Sequence, residues 1–209
     1  MLRSEIARAV AGMHIVPLVS CVADTQGAIG YQIQQSLDNV LKRRGLADKT
    51  GRTVSLVTQV RVDIADPGFN NPDKFVGEFY AEDQLAELRR QHPDWILKPD
   101  ANRGWRRVVP SPKPCEIIEL DAIRSLLGSG FNVVAAGGGG IPVIRMPEGI
   151  FGVDAVIDKD LASSLLATQL GADMLAISTG VENVALNYGT PMQRPLHSVT
   201  VSEMERYLA

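Results

Sequence analysis

Four consecutive glycines, Gly137, Gly138, Gly139 and Gly140, follow directly on the apolar run FNVVAA at 131–136. This arrangement constrains the chain more than any other feature. Without Cβ atoms the backbone can approach a ligand closely and adopt positive φ. Successive amides in such a turn can form a nest for an anion such as phosphate. The competing reading is a tight turn whose glycines serve packing alone. Pro142 comes too soon for a G-x-G-x-x-G fingerprint with its following helix, and no Gly-Lys-Ser/Thr completes a P-loop. The run after a buried strand therefore predicts a phosphate-contacting loop of another type.

The surrounding pattern predicts an α/β fold. Ile29, Ile33, Leu37, Val40 and Leu41 recur at helical spacing over 25–44, and Gly45 closes that helix. The β-branched run TVSLVTQV at 53–60 reads as one strand. Residues 61–114 break the alternation with turn-forming clusters, Asp66-Pro67-Gly68 and Asn70-Asn71-Pro72-Asp73. That stretch reads as an excursion of hairpin and loop, with one short polar helix over 82–91. Helices are expected over 119–127 and 161–170, strands over 131–136 and 173–179, and a last helix capped by Thr200 or Ser202. Strand and helix in alternation argue for a mostly parallel sheet.

Two further clusters could carry chemistry. Asp158-Lys159-Asp160 stands at a helix start, where an acidic residue caps the helix and suits its positive end. Two carboxylates around a lysine also suit phosphoryl transfer, the lysine neutralising charge and a carboxylate holding lysines or reaching Mg²⁺. The second cluster is Lys98, Arg103, Arg106, Arg107 and Lys113, either a solvated rim or an ordered loop able to close over an anionic substrate.

Composition excludes several classes. Of 209 residues, 21 are Lys or Arg and 24 are Asp or Glu, a net charge of -3 that gives no basic surface for nucleic acid. No apolar run approaches the ~18 residues of a membrane span. The stretch MLRSEIARAV lacks the apolar core of a signal peptide, so a cytoplasmic home is expected. Cys21 and Cys115 form no metal knuckle, and His14, His92 and His197 have no ligand spacing, so no metal-ligating set is read.

Taken in order, several segments resemble carbamate kinase of the amino-acid-kinase superfamily. They are TQGAIGY at 25–31, VTQV at 57–60, DPGFNNP at 66–72, RGWRRVVPSPKP at 103–114, GGGGIPVI at 137–144 and VIDKDLAS at 156–163. The resemblance implies an open, mostly parallel sheet sandwiched between helices, with residues 61–114 as a protruding subdomain of a single domain spanning 1–209. It implies a homodimer moving a phosphoryl group between ATP and carbamate, giving ADP and carbamoyl phosphate, with Mg²⁺ beside the nucleotide. It also implies residue roles. Lys98 faces the phosphoryl group from a mobile loop, Asp160 positions lysines, and Lys159 lies near the nucleotide phosphates with Asp158. Gly137 to Gly140 form the glycine loop, and Thr179, Val184 and Asn187 border the nucleotide.

Departures from the family pattern stand at Pro99, where Glu is usual, and at Asn102, where Gly is usual. The pattern's opening G-G-N-A and G-N-G-P-Q-V-G loops and its late G-S-M-x-P-K-V segment have no match in this sequence. The resemblance therefore covers about the middle two thirds of the pattern, and the chain alone is expected to turn over weakly. A nucleotide-binding relic, or a kinase of another acyl phosphate, remains an alternative.

Overall fold

The computed structural model describes residues 16–101 and 103–208. The start of the chain with His14, and Asn102, lie outside the described residues. The chain divides into two compact units, the first ending at Leu175 and the second being Ala176–Ala209.

In the first unit, helix α1 (Leu18–Arg43) begins about two turns before the predicted start. It packs on a parallel pair, β1 (Thr53–Ser55) with β7 (Asn132–Val134). A Cβ at Gly30 would overlap the Ser55 side chain, so glycine lets α1 lie flat on β1. The run at 53–60 is not one strand. It breaks at 56–58, and β2 (Gln59–Val62) enters a different sheet. That sheet has the order β6-β2-β8-β9, with β6 (Pro114–Ile117), β8 (Ile141–Met146) and β9 (Gly149–Gly152). β2 and β8 run parallel, while β6 and β9 are antiparallel to their neighbours.

The α/β class stands, with parallel ladders at β1–β7 and β2–β8 and antiparallel ladders elsewhere. Helices α3 (Leu120–Gly128) and α4 (Lys159–Leu170) contact each other and cover β7 and β6 respectively. Val60, Val62, Ile117, Ile123, Ile157 and Ala162 form the core between them. Six such side chains leaving water supply on the order of 10 kcal/mol at about 1.5–3 kcal/mol each.

Residues 74–109 hold more regular structure than their turn residues suggest. β3 (Lys74–Tyr80), β5 (Trp105–Val109) and β4 (Ile96–Pro99) form a three-stranded antiparallel sheet in the order β3-β5-β4. The short helix α2 (Leu85–Gln91), preceded by a 3-10 turn at Glu82–Gln84, connects β3 to β4 as expected. Val76 and Val109 seat this sheet against Leu18 and Val156.

The second unit holds the hairpin β10 (Val184–Leu186) and β11 (Arg194–Leu196), then α5 (Val201–Leu208). Thr200 caps α5: its hydroxyl accepts from the Glu203 amide while its own amide donates to the Glu203 carboxylate. The strand expected over 173–179 does not form. No neighbouring strand among the described residues pairs with this segment.

Candidate phosphate-binding site

The glycine loop is built from α1 outward. Gln26 is buried, and its amide grips the break between β1 and β2. It accepts from the Thr58 amide at 2.8 Å and donates to the Thr58 carbonyl at 3.1 Å. The side chain thus stands in for a missing strand neighbour, satisfying buried backbone groups that would otherwise be orphaned. Thr58 passes the constraint on. Its hydroxyl accepts from the amide of Ala136 at 2.9 Å and donates to Leu56 carbonyl oxygen at 2.9 Å. Ala136 is thereby held at φ 61, a conformation that turns β7 sharply into the glycine run.

The four glycines then divide by role. A Cβ at Gly139 would overlap the carbonyl oxygen of Ile157, one at Gly140 would overlap Val60, and one at Gly137 would come within 2.7 Å of Gln26 Cγ. All three have positive φ. They are explained by packing and by the turn. Gly138 is different: its φ is not positive, and among the described residues no atom lies within 4 Å of where its Cβ would stand. With Gly137 and Gly140, Gly138 lines a cavity of about 430 Å³ bounded by α1 and the ends of β1 and β7. Of the four, Gly138 is the one whose bareness the protein interior does not require.

Gly139 leads directly to the second cluster, because its Cβ position lies 3.5 Å from the carbonyl carbon of Asp158. Asp158 caps α4. Its Oδ1 accepts from the amides of Asp160 at 2.9 Å and Leu161 at 3.2 Å. Its Oδ2 accepts from the Lys74 ammonium at 2.8 Å. The Lys74 hydrogen bond, helped by the two amides and opposed by burial, lowers the carboxyl from 3.8 to about 2. Lys159 and Asp160 are more than half exposed and pair loosely at 3.4 Å. Both point outward from the first turn of α4, where the helix end favours anions.

Lys98 corrects an expectation. It lies not on a mobile loop but in β4, paired in register with Arg106 of β5. Its ammonium donates to the Pro72 carbonyl at 2.6 Å, two residues before Lys74. The arginines expected to close over a substrate are likewise engaged. Arg103 and Arg106 bind Asp100 at 3.1 and 3.0 Å and lie over the Phe79 ring, while Arg107 lies over Trp95. Asp100 is held below the usual carboxylate range, first by the Arg106 hydrogen bond. These contacts give the arginines a structural occupation.

Thr179, Val184 and Asn187 belong to the second unit. Val184 pairs with Leu196, and Asn187 takes φ 51 at the hairpin turn, its carbonyl accepting from Thr190. Asn187 thus has a local turn role.

Sequence reasoning named neither Lys74 nor the clamp formed by Gln26 and Thr58. Lys74 had no signal, because its partner lies 84 residues away. Gln26 and Thr58 lay inside segments that carried the resemblance but showed no local reason for it.

A family model described as the amino acid kinase family matches residues 76–208. The chain belongs to the amino acid kinase family. Among curated relatives of this family, it is 50% identical over 207 residues to carbamate kinase-like protein YahI of Escherichia coli, covering 99% of this chain and 64% of that protein. It is 45% identical to carbamate kinase of Pyrococcus horikoshii, covering 99% and 65% respectively. Carbamate kinase from Giardia lamblia bound to AMP-PNP superposes with a TM-score of 0.85 at 43% identity, covering 99% of this chain and 64% of that one. The chain thus spans somewhat less than two thirds of the length of these relatives.

Proposed function

We propose that this chain is a carbamate kinase-type phosphotransferase unit, acting on ATP and carbamate or, in reverse, on ADP and carbamoyl phosphate. The observation that carries the reading is the similarity to carbamate kinases along 99% of the chain, glycine loop and α4 start included. The site's chemistry supports it. Phosphoryl transfer asks for positioning and charge neutralisation rather than covalent catalysis.

Gly138 offers a bare backbone against which a phosphate can rest. Lys159 supplies a mobile positive charge at the α4 start, and Asp160 limits where that charge can swing. Lys98 approaches from the protruding sheet to neutralise the moving phosphoryl group. Asp158 acts as the cap that fixes the helix start, not as a direct contact. Thr179, Val184 and Asn187 border the nucleotide in this reading.

Mg²⁺ fits such a site as a companion of the nucleotide. Among the described residues no three His, Cys, Asp or Glu side chains converge on one point. The ion would keep phosphate oxygens and water as its main ligands, with exposed Asp160 as the available carboxylate. When bound it would offset phosphate charge.

The test is ATP formation from ADP, carbamoyl phosphate and Mg²⁺, read by luciferase, alongside AMP-PNP binding by calorimetry. ATP formation lost in Lys159→Ala supports the reading. Absence of both ATP formation and AMP-PNP binding overturns it. Binding without transfer would favour a nucleotide-binding module instead.

A further inference from the structure

Resting on that reading of the site, we infer that Lys74 is a positioning residue, which couples the protruding sheet to the phosphate site by pinning it to the cap of α4. The two oxygens of Asp158 are divided between two structures. Oδ1 holds the first turn of α4 through the amides of Asp160 and Leu161, and Oδ2 holds Lys74, the first residue of β3. On the other side, the segment leading into Lys74 carries the Pro72 carbonyl, and that carbonyl anchors the Lys98 ammonium. A path of hydrogen bonds, with the one residue Asp73 between Pro72 and Lys74, therefore runs from the helix carrying Lys159 and Asp160 to Lys98 in β4.

The apolar contacts beneath the sheet do not fix this position alone. Val76 and Val109 pack on Leu18 and Val156, and the Val156 amide donates to the Pro110 carbonyl at 2.9 Å. Those contacts lie near the β5 end and beneath β3. They hold the sheet down, but none of them involves Pro72 or the Lys98 ammonium. The Lys74 ion pair is the tie at that corner. It is an efficient one because the pair is only about a third exposed, 37% for Lys74 and 31% for Asp158, and so is less screened than a surface pair. The Arg103–Asp100–Arg106 cluster then stiffens the far end of β4 and β5, so a displacement at Lys74 is transmitted rather than absorbed.

The experiment is trace acetylation of the whole chain with mass-spectrometric readout of each lysine, in wild type, Lys74→Met, Asp158→Asn and Lys74→Arg. Asparagine at 158 retains an oxygen for the helix cap while turning an amide toward Lys74. The expected result is that Lys98 is acetylated severalfold faster in Lys74→Met and in Asp158→Asn, while the exposed Lys49 and Lys113 keep their wild-type rates. Lys74→Arg, which can still reach the carboxylate, restores slow acetylation of Lys98. With AMP-PNP present, protection of Lys159 survives in Lys74→Met while protection of Lys98 is lost.

Unchanged Lys98 reactivity in Asp158→Asn and Lys74→Met would overturn the inference, as would a rise shared equally by Lys49 and Lys113. If Lys74→Met fails to fold, Asp158→Asn and Lys74→Arg decide the matter. If AMP-PNP protects no lysine in wild type, the phosphate-site reading fails separately, since the coupling of Lys98 to Lys74 is read without nucleotide.

Discussion

Replacing Gly138 and Gly139 one at a time by alanine separates ligand approach from packing within the same turn. At Gly139 the added methyl would overlap the Ile157 carbonyl oxygen, a backbone atom that cannot rotate away, and φ is +132. The unfavourable φ costs about 1–2 kcal/mol. Displacing the Ile157 backbone adds a similar amount, for a total of about 2–4 kcal/mol. At about 2–4 °C per kcal/mol for a chain of this size, Gly139→Ala should lower Tm by roughly 5–15 °C. At Gly138 nothing among the described residues stands within 4 Å and φ is not positive, so alanine should leave Tm within about 2 °C. The same methyl would occupy the backbone surface on which the phosphate is placed, and AMP-PNP affinity should fall about tenfold or more, roughly 1.4 kcal/mol. Differential scanning fluorimetry and calorimetric titration give both numbers. Equal loss of stability in the two variants, or full AMP-PNP affinity in Gly138→Ala, would refute the division of roles.

Gln26→Leu keeps the side-chain size but strands the Thr58 amide and frees the Ala136 turn, and should cost about 2–3 kcal/mol in urea unfolding. Asp158 has a folded pKa of about 2, below its ordinary 3.8, so its contribution is complete above about pH 4 and is lost as pH falls toward 2. Discounted for partial exposure, that contribution is about 1–2 kcal/mol. Unfolding followed from pH 5 to pH 2 should show a shallower acid loss in Asp158→Asn than in wild type. Asp160→Ala should weaken AMP-PNP binding while leaving Tm within about 2 °C, since its side chain is 52% exposed and pairs with the exposed Lys159.

What the sequence revealed follows from how local each signal is. Helices α1, α3 and α4 were legible because their apolar spacing and caps are written within a few residues, as Asp158 before α4 and Gly45 after α1 illustrate. The β8–β9 hairpin was not read, because its strands follow the glycine run with Pro142 inside the first. β3 was hidden among turn residues, and its regularity comes from pairing with β5. The segment 173–179 misled in the other direction, since apolar content without a partner strand does not make a ladder. At the site, the glycine run and Asp158-Lys159-Asp160 were visible as motifs. Their division into packing and contact residues was not, because it depends on Ile157, Val60 and Gln26 arriving from elsewhere in the chain. Lys98 was placed on a loop because Pro99 and Gly104 bracket a real turn. Its strand comes from the register with Arg106.

The central claim is that the glycine loop and the start of α4 together bind phosphate. Its most direct test is a ¹H–¹⁵N spectrum of the chain titrated with Mg²⁺–AMP-PNP. The largest amide shifts should fall on Gly138 and Lys159 and saturate together at one affinity. Shifts confined to other segments, or none at Gly138 with binding evident by calorimetry, would contradict it.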